Sequence, residues 1–174
     1  MKNDLYWTKT ILTVYRYLER ICGGIDKIIM QKALGCSNIV GQNYFQNNTL
    51  SVSQKIIDLS ERKVTLINLK VLIEQSLSAI SQKDAQVLIE KYVDGTKNKD
   101  LAENMGVGLR TIFRKIESAE MAFKSKICLK GYNDIKLCDM LKNESWIKNV
   151  YNSIANKKDD FQMTNVEFSR AVSI

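Results

Sequence analysis

Proline and histidine are both absent from this 174-residue sequence. Proline breaks helices because it lacks a backbone donor and clashes with the preceding turn, so its absence leaves long helices uninterrupted. Apolar residues recur at three- and four-residue spacing along most of the chain, which is the periodicity of amphipathic helices. The sequence therefore predicts an all-α fold, built from helices and not from strands.

The lack of histidine also reduces the range of catalytic and metal sites that the chain could form. Histidine is the most common general base and the usual partner of a serine or cysteine nucleophile. The four cysteines are far apart and form no CxxC pair, so zinc has almost no ligands to use. We therefore expect no enzyme activity, no catalytic residues, no metal and no cofactor.

Long apolar runs are missing as well. No stretch approaches the roughly 18 consecutive apolar residues of a membrane span, and no signal-like apolar block follows the first four residues. The net charge is +7, and the basic residues are spread along the chain instead of forming a tail. These properties predict a cytoplasmic, nucleoid-associated protein with an anionic partner and no membrane contact.

The N-terminal part, residues 1–52, is predicted to contain two helices and a linker. Apolar side chains repeat at helical spacing over residues 5–21, which form the first helix. Gly23 and Gly24 are expected to break or kink it, and a second helix over 25–34 ends at Gly35. Residues 35–53 are rich in Asn, Gln, Ser and Gly without a sustained period, which predicts a loop and a domain boundary.

Residues 53–80 form one long predicted helix that is apolar on both sides. A heptad-like seam on this helix consists of Ile56, Leu59, Leu66, Ile73, Leu77 and Ile80. A helix that is apolar beyond one stripe has to be covered widely. Both the N-terminal helices and a second copy of the chain would provide this cover. A homodimer through 53–80 is therefore an alternative to packing within one chain.

Residues 81–126 have the pattern of three short helices. Ser81 and Asp84 form a variant of the capping box, which starts a helix ending at residue 93. The second helix covers 99–105 and the third 108–123, and Gly106 permits the left-handed backbone of a tight turn between them. This spacing is typical of a helix-turn-helix, whose structural positions here are Ala102, Gly106, Val107, Ile112 and Ile116.

The third helix has one apolar and one basic face. The apolar face is predicted to pack on the two preceding helices and consists of Leu109, Ile112, Phe113, Ile116, Ala119 and Phe123. The basic face carries the types of residue that contact DNA bases and phosphates, namely Gly108, Arg110, Thr111, Arg114, Lys115 and Ser118. Glu103, Glu117 and Glu120 are interpreted as rim charges or intrahelical partners. A basic face that is merely solvated is the simpler alternative. The combination of the basic face with the helix-turn-helix spacing favours binding to double-stranded DNA.

Many of these residues fit the pattern of a known family. They are Leu88, Lys91, Tyr92 and Gly95, then Leu101, Ala102, Met105, Gly106 and Val107, and finally Arg110, Thr111, Ile112, Arg114, Lys115, Ile116 and Ala119. Through them, residues 81–126 resemble region four of bacterial sigma factors and of related sigma-like phage and bacterial regulators. The resemblance implies that helix 108–123 reads a promoter −35 element and that the domain contacts the RNA polymerase flap.

The sequence departs from that family in two places. Gly108 stands where members often have Ser or Thr as the helix cap, and residues 1–80 contain no recognisable polymerase-binding and promoter-melting segment. We therefore expect a sigma-like transcription regulator that binds specific double-stranded DNA, and not a complete sigma factor. One alternative is a module that binds RNA polymerase or another regulator without reading DNA. Another is a DNA-binding accessory subunit of a recombination or packaging machine.

The C-terminal part, residues 127–174, is predicted to add packing helices. An amphipathic helix or helix pair covers 135–154, and Trp146 within it is assigned to the core in preference to a partner surface. Residues 156–174 are more polar and are predicted to form a frayed tail. Phe161, Val166 and Phe168 are the only docking points expected in that tail.

Overall fold

The computed structural model describes residues 5–37, 45–156 and 163–172. Its α-helices are α1 (Tyr6–Ser37), α2 (Phe45–Leu77), α3 (Gln82–Leu88), α4 (Asn98–Asn104), α5 (Leu109–Leu129), α6 (Asp134–Met140), α7 (Ser145–Ala155) and α8 (Asn165–Val172), and a π-helix, Ile89–Val93, follows α3. These ranges contain no strand, which confirms the predicted all-α fold class. None of the described helices is both long and apolar enough to cross a bilayer.

The predicted break at Gly23 and Gly24 is wrong, because α1 continues through both glycines. Glycine in a helix interior costs about 1 kcal/mol relative to alanine. At Gly24 the small residue admits α8, since an added Cβ would lie only 2.8 Å from Val172 Cγ2 and 3.5 Å from Phe168 Cζ. This requirement comes from a residue almost 150 positions away, so local periodicity does not reveal it.

The second helix, α2, also differs from its prediction. It begins at Phe45, inside the segment predicted as a loop, and ends at Leu77 before a turn over residues 78–80. Residues 38–44 of that predicted loop lie outside the described residues. Four members of the predicted dimer seam are buried in the single chain and are therefore unavailable to a second copy, namely Leu59, Leu66, Ile73 and Leu77. The apolar side chains that α2 leaves exposed are Leu50, Ile57, Val64, Ile67 and Val71.

The chain divides into two compact units, and α1 and α2 contribute to both. The first unit consists of the described parts of Met1–Tyr17 and Lys70–Gln162, and the second of those of Leu18–Leu69 and Met163–Ile174. The most deeply buried apolar residues of the first unit include Ile11, Val14, Ile73, Leu88, Leu101, Ile112, Ala119, Phe123, Leu141, Ile147 and Val150. This unit contains all of residues 81–126 and therefore the whole candidate site.

The first unit also contains α6 and α7. They form the helix pair that was one of the two arrangements predicted for residues 135–154. Trp146 is buried, and its Nε1 donates a hydrogen bond of 2.6 Å to Oε2 of the equally buried Glu144. Its predicted place in the core is thereby confirmed.

In the second unit, the prediction of a frayed tail is wrong for residues 165–172, which form α8. Ala171 is buried, and its carbonyl oxygen accepts a hydrogen bond from the Arg62 guanidinium on α2. Of the three predicted docking residues, Phe168 is half-buried, Val166 is exposed and Phe161 lies outside the described residues. The burial of the end of α8 and the hydrogen bond from Arg62 to the Ala171 carbonyl account for the helical structure of this segment.

Candidate nucleic-acid interface

The first helix of the candidate site begins at its predicted cap. Ser81 Oγ accepts a hydrogen bond of 3.2 Å from the backbone N–H of Asp84 and donates one of 2.7 Å to Asp84 Oδ2. Beyond α3 the chain does not continue as an α-helix to residue 93 but widens into the π-helix, which ends before Gly95 at a φ of +74°. Short π-helical segments occur frequently at functional sites.

A tight turn joins α4 to α5. Gly106 adopts the left-handed conformation with a φ of +61°, and its N–H donates to the carbonyl oxygen of Glu103 at 3.0 Å. The N–H of Val107 donates to the carbonyl oxygen of Ala102, also at 3.0 Å. These two bonds make up a Schellman motif, which satisfies carbonyls that the end of a helix leaves unpaired. The turn therefore fixes the direction in which the chain enters α5.

A hydrophobic cluster holds α3, α4 and α5 together. Its buried members are Val87 from α3, Leu101 and Ala102 from α4, and Ile112 and Ile116 from α5, with Met105 and Val107 packed at its edge. Of the five residues predicted to have a structural role in the motif, four belong to this cluster and the fifth, Gly106, forms the turn. The cluster is small, but it touches α5 on two successive turns and so fixes the rotation of that helix about its axis.

The residues predicted to contact DNA lie on the side of α5 that faces away from this cluster. All are exposed, and we call five of them the basic arc: Arg110, Thr111, Arg114, Lys115 and Ser118. At about 100° per residue, the arc spans about 140° around the helix, centred almost opposite Ile116. Within the described residues no ion pair involves its three cations.

Gly108 precedes the arc as the N-cap of α5. Its backbone is extended, with a φ of −67° and a ψ of 151°, and no side chain caps the helix. The carbonyl oxygen of Gly108 accepts hydrogen bonds from the N–H groups of Thr111 and Ile112. The first N–H groups of the helix consequently point out of its N-terminus beside the arginines.

No protein-family model matches the chain, and no curated protein or solved structure is significantly similar to it. The part of the chain that the structure describes holds no cluster of three residues able to bind a metal ion. The site is therefore interpreted from its own geometry and charge.

Two residues of the predicted apolar face do not belong to the core. Leu109 is 47% exposed and Phe113 is 52% exposed, so the prediction that both pack on the preceding helices is wrong. Leu109 is the first residue of α5, and Phe113 lies about 100° from Ile112 around the helix axis, at the border of the packed face. The other four members, Ile112, Ile116, Ala119 and Phe123, are buried as predicted.

The interpretation of Glu120 as a rim charge is also wrong, because the residue is only 2% exposed. Its Oε1 accepts a hydrogen bond from the Tyr92 hydroxyl, and Lys9 Nζ lies 3.7 Å from its Oε2. Burial raises the pKa of the Glu120 carboxyl, and the charge of Glu117 adds to the rise, while Tyr92 and Lys9 oppose it. Glu103 and Glu117 are exposed, as predicted.

A sequence signal for the burial of Glu120 does exist. The residue follows the buried Ile116 by four positions and precedes the buried Phe123 by three, so helical spacing places it beside the packed face. Spacing alone does not predict burial here, since glutamate is almost never fully buried without a partner. The partners, Tyr92 and Lys9, come from the π-helix and α1.

Proposed function

We propose that the protein is a sequence-specific double-stranded DNA-binding transcription regulator that inserts α5 into the major groove. The observation that carries the proposal is the basic arc. Its exposed cations have no ion-pair partner among the residues that the structure describes, and the opposite side of their helix is anchored by α3 and α4. A helix that follows a short helix and a tight turn is the element with which many regulators read the major groove.

The two arginines are the proposed base readers. Arg110 and Arg114 are one turn apart, which separates them by about 6 Å along the helix axis. This distance corresponds to about two base-pair steps of 3.4 Å, so the two guanidinium groups can address neighbouring positions of one site. Arginine recognises guanine through a bidentate pair of hydrogen bonds to O6 and N7. Thr111 and Ser118, on the same side of the helix, supply hydroxyl groups for base edges or phosphates.

Lys115 and the N-terminus of α5 are suited to contacts with the phosphate backbone of DNA. Lys115 lies at the edge of the basic arc, where a point charge contacts phosphate without selecting a base. The uncapped N-terminus of α5 at Gly108 presents backbone N–H groups and the positive end of the helix dipole, and both favour an anion. Affinity should consequently fall steeply with salt, because each neutralised phosphate releases bound counterions.

The resemblance to sigma region four supports promoter DNA as the class of target, with RNA polymerase as a second candidate partner. The supporting residues are the ones already placed: the Schellman turn at Gly106, the cluster around Ile112 and the basic arc. We propose this finer assignment on the same footing as DNA binding itself, and the same experiment addresses both.

The test is selection of bound duplexes from a random pool, followed by fluorescence anisotropy on the winning site and on a scrambled one. Loss of a bidentate contact is worth about 1–3 kcal/mol, so R110A and R114A should weaken binding to the selected site by about 5- to 140-fold and change binding to the scrambled site far less. K115A should weaken both duplexes alike and reduce the slope of log K against log salt by about 0.9.

The control variant is K148A, which removes an exposed lysine from α7 of the same unit and should leave both affinities unchanged. Equal losses on both duplexes for the arginine variants would contradict base readout. An absence of any enriched duplex, together with capture of RNA polymerase, would replace the proposal with the protein-interaction alternative. A −35-like winner would support the sigma-like assignment, and an unrelated one would refute it.

A further inference from the structure

A cavity of about 110 Å³ opens beside the buried carboxylate of Glu120 in the first unit. At about 30 Å³ per water, it has room for roughly four water molecules or a ligand of similar size. The polar side chains that line it come from α1, the π-helix, α4 and α5, and they are Lys9, Thr13, Lys91, Tyr92, Asn98 and Glu120. Neither the basic arc nor the proposed DNA contact uses any of them.

Two acceptors on this cavity lack close donors. The Oδ1 atom of Asn98 is buried and has no hydrogen-bond partner among the described residues. On Glu120, Oε1 accepts from Tyr92, but the Lys9 Nζ atom is 3.7 Å from Oε2, well beyond the 2.7–2.9 Å of a charge-assisted hydrogen bond. A buried acceptor without a donor is costly, so both atoms favour a ligand group rich in N–H donors.

The same cavity carries an excess of positive charge. Lys9 and Lys91 provide two cations against the single carboxylate of Glu120, and Lys91 forms no ion pair within the described residues. A ligand with only an ammonium group would satisfy Glu120 but would also face both lysines. A ligand that bears a carboxylate next to its ammonium group satisfies both signs of charge.

The apolar residues of the cavity wall restrict the uncharged part of a bound ligand. Phe113, Ile116 and Ile154 line the cavity, and the side chain of Phe113 is half-exposed. Short aliphatic groups suit such a wall. The π-helix is the element that brings Lys91 and Tyr92 to the same cavity, because its wider turn changes the direction of successive side chains.

We propose that this cavity binds a small zwitterion, namely a free amino acid with a short aliphatic side chain. Its ammonium group donates to Glu120 Oε2 and to the Asn98 amide oxygen, and its carboxylate pairs with Lys91 and Lys9. The ligand thereby bridges Asn98 at the start of α4 and Glu120 on α5. Its influence on DNA affinity rests on the proposed function, but binding itself does not.

The test is isothermal titration calorimetry of the full chain with glycine, alanine and valine. Propionate and isopropylamine serve as matched probes, because propionate is alanine without its ammonium group and isopropylamine is alanine with a methyl group in place of its carboxylate. At least one of the three amino acids should bind at least tenfold more tightly than either matched probe, since each charged hydrogen bond contributes about 1.5–3 kcal/mol.

Variants connect the binding to the named residues. E120Q and N98L should each weaken the amino acid by about 10- to 150-fold, because each removes one charged or buried acceptor. Their controls, E103Q and N104L, change exposed residues on α4 and should leave binding unchanged. K91M, which keeps the apolar stem of the lysine, provides a second readout if N98L fails to fold, and it should weaken alanine far more than isopropylamine.

Three results would overturn the proposal: no binding of any of the three amino acids, equal binding of isopropylamine, or unchanged binding to E120Q and K91M. A DNA titration with and without the amino acid forms a separate arm. Amino-acid binding in a protein that fails to bind DNA would refute the proposed function while leaving this site intact. Specific DNA binding with no calorimetric signal for the amino acids would support the proposed function and refute this site.

Discussion

Replacing Gly108 by serine should stabilise the protein and strengthen its proposed contact with DNA. Gly108 already has the extended backbone of an N-cap, and nothing lies within 4 Å of the position that a Cβ would occupy. A serine there can accept a hydrogen bond from an N–H group of the first turn of α5 without any rearrangement.

The magnitude follows from two contributions. A serine cap is better than glycine by a few tenths of a kcal/mol. Removing the conformational freedom of glycine from the unfolded chain adds about 0.4–1 kcal/mol when the native backbone suits the new residue, as a φ of −67° does. G108S should therefore raise the free energy of unfolding by about 0.5–1.5 kcal/mol. At Gly106, where φ is +61°, serine should lower it by about 1–2 kcal/mol.

Urea denaturation followed by far-UV circular dichroism would measure both variants, and G106S serves as the matched control two residues away. A shift of the midpoint without a change in slope would show that stability changed and not the extent of unfolding. Fluorescence anisotropy on the selected duplex would then show whether the added hydroxyl also strengthens binding. A destabilised G108S, or a G106S as stable as the wild type, would refute the assignment of cap and turn.

The remaining predictions concern the two glycines inside α1 and the buried Glu120. G23A should raise the free energy of unfolding by about 1 kcal/mol, because nothing lies within 4 Å of its new Cβ. G24A should not gain this stability, because its Cβ would lie 2.8 Å from Val172 Cγ2. Urea denaturation of both variants would test this difference, and equal stabilisation of the two would contradict it. Because the folded pKa of Glu120 is raised, the native state holds more protons, and stability should fall as pH rises from about 4.5 through the folded pKa. E120Q should remove this fall, whereas the control E103Q, at an exposed position, should keep it. Equal pH slopes for the two variants would contradict the assignment.

The elements that sequence predicts well are those with local causes. The start of α3 depends on the Ser81 hydroxyl and the residue three positions later, and the boundary between α4 and α5 depends on glycines at 106 and 108. The burial of Ile112 and Ile116 follows from their spacing on one helix. Each of these causes lies within one or two turns of the residue that it determines, so a single sequence contains it.

The elements that sequence misses have distant causes. α1 tolerates Gly24 because α8 packs there, and Glu120 is buried because Tyr92 and Lys9 approach it from other helices. The π-helix changes the register of Lys91 and Tyr92 after an α-helix that starts as predicted. In the first two cases tertiary packing overrides a local preference that remains visible in the sequence.

The geometry of α5 also sets how affinity and specificity divide in the proposed complex. Ordering an arginine side chain costs about 1.5–2 kcal/mol of rotamer entropy, while a bidentate contact to guanine discriminates by about 1–3 kcal/mol. Arg110 and Arg114 therefore add affinity mainly on the selected duplex and little on the scrambled one, where no base contact offsets the ordering cost. Lys115, the N-terminus at Gly108 and other phosphate contacts have to supply most of the affinity. High salt should accordingly weaken the selected and scrambled duplexes by similar factors and leave the ratio between them nearly constant.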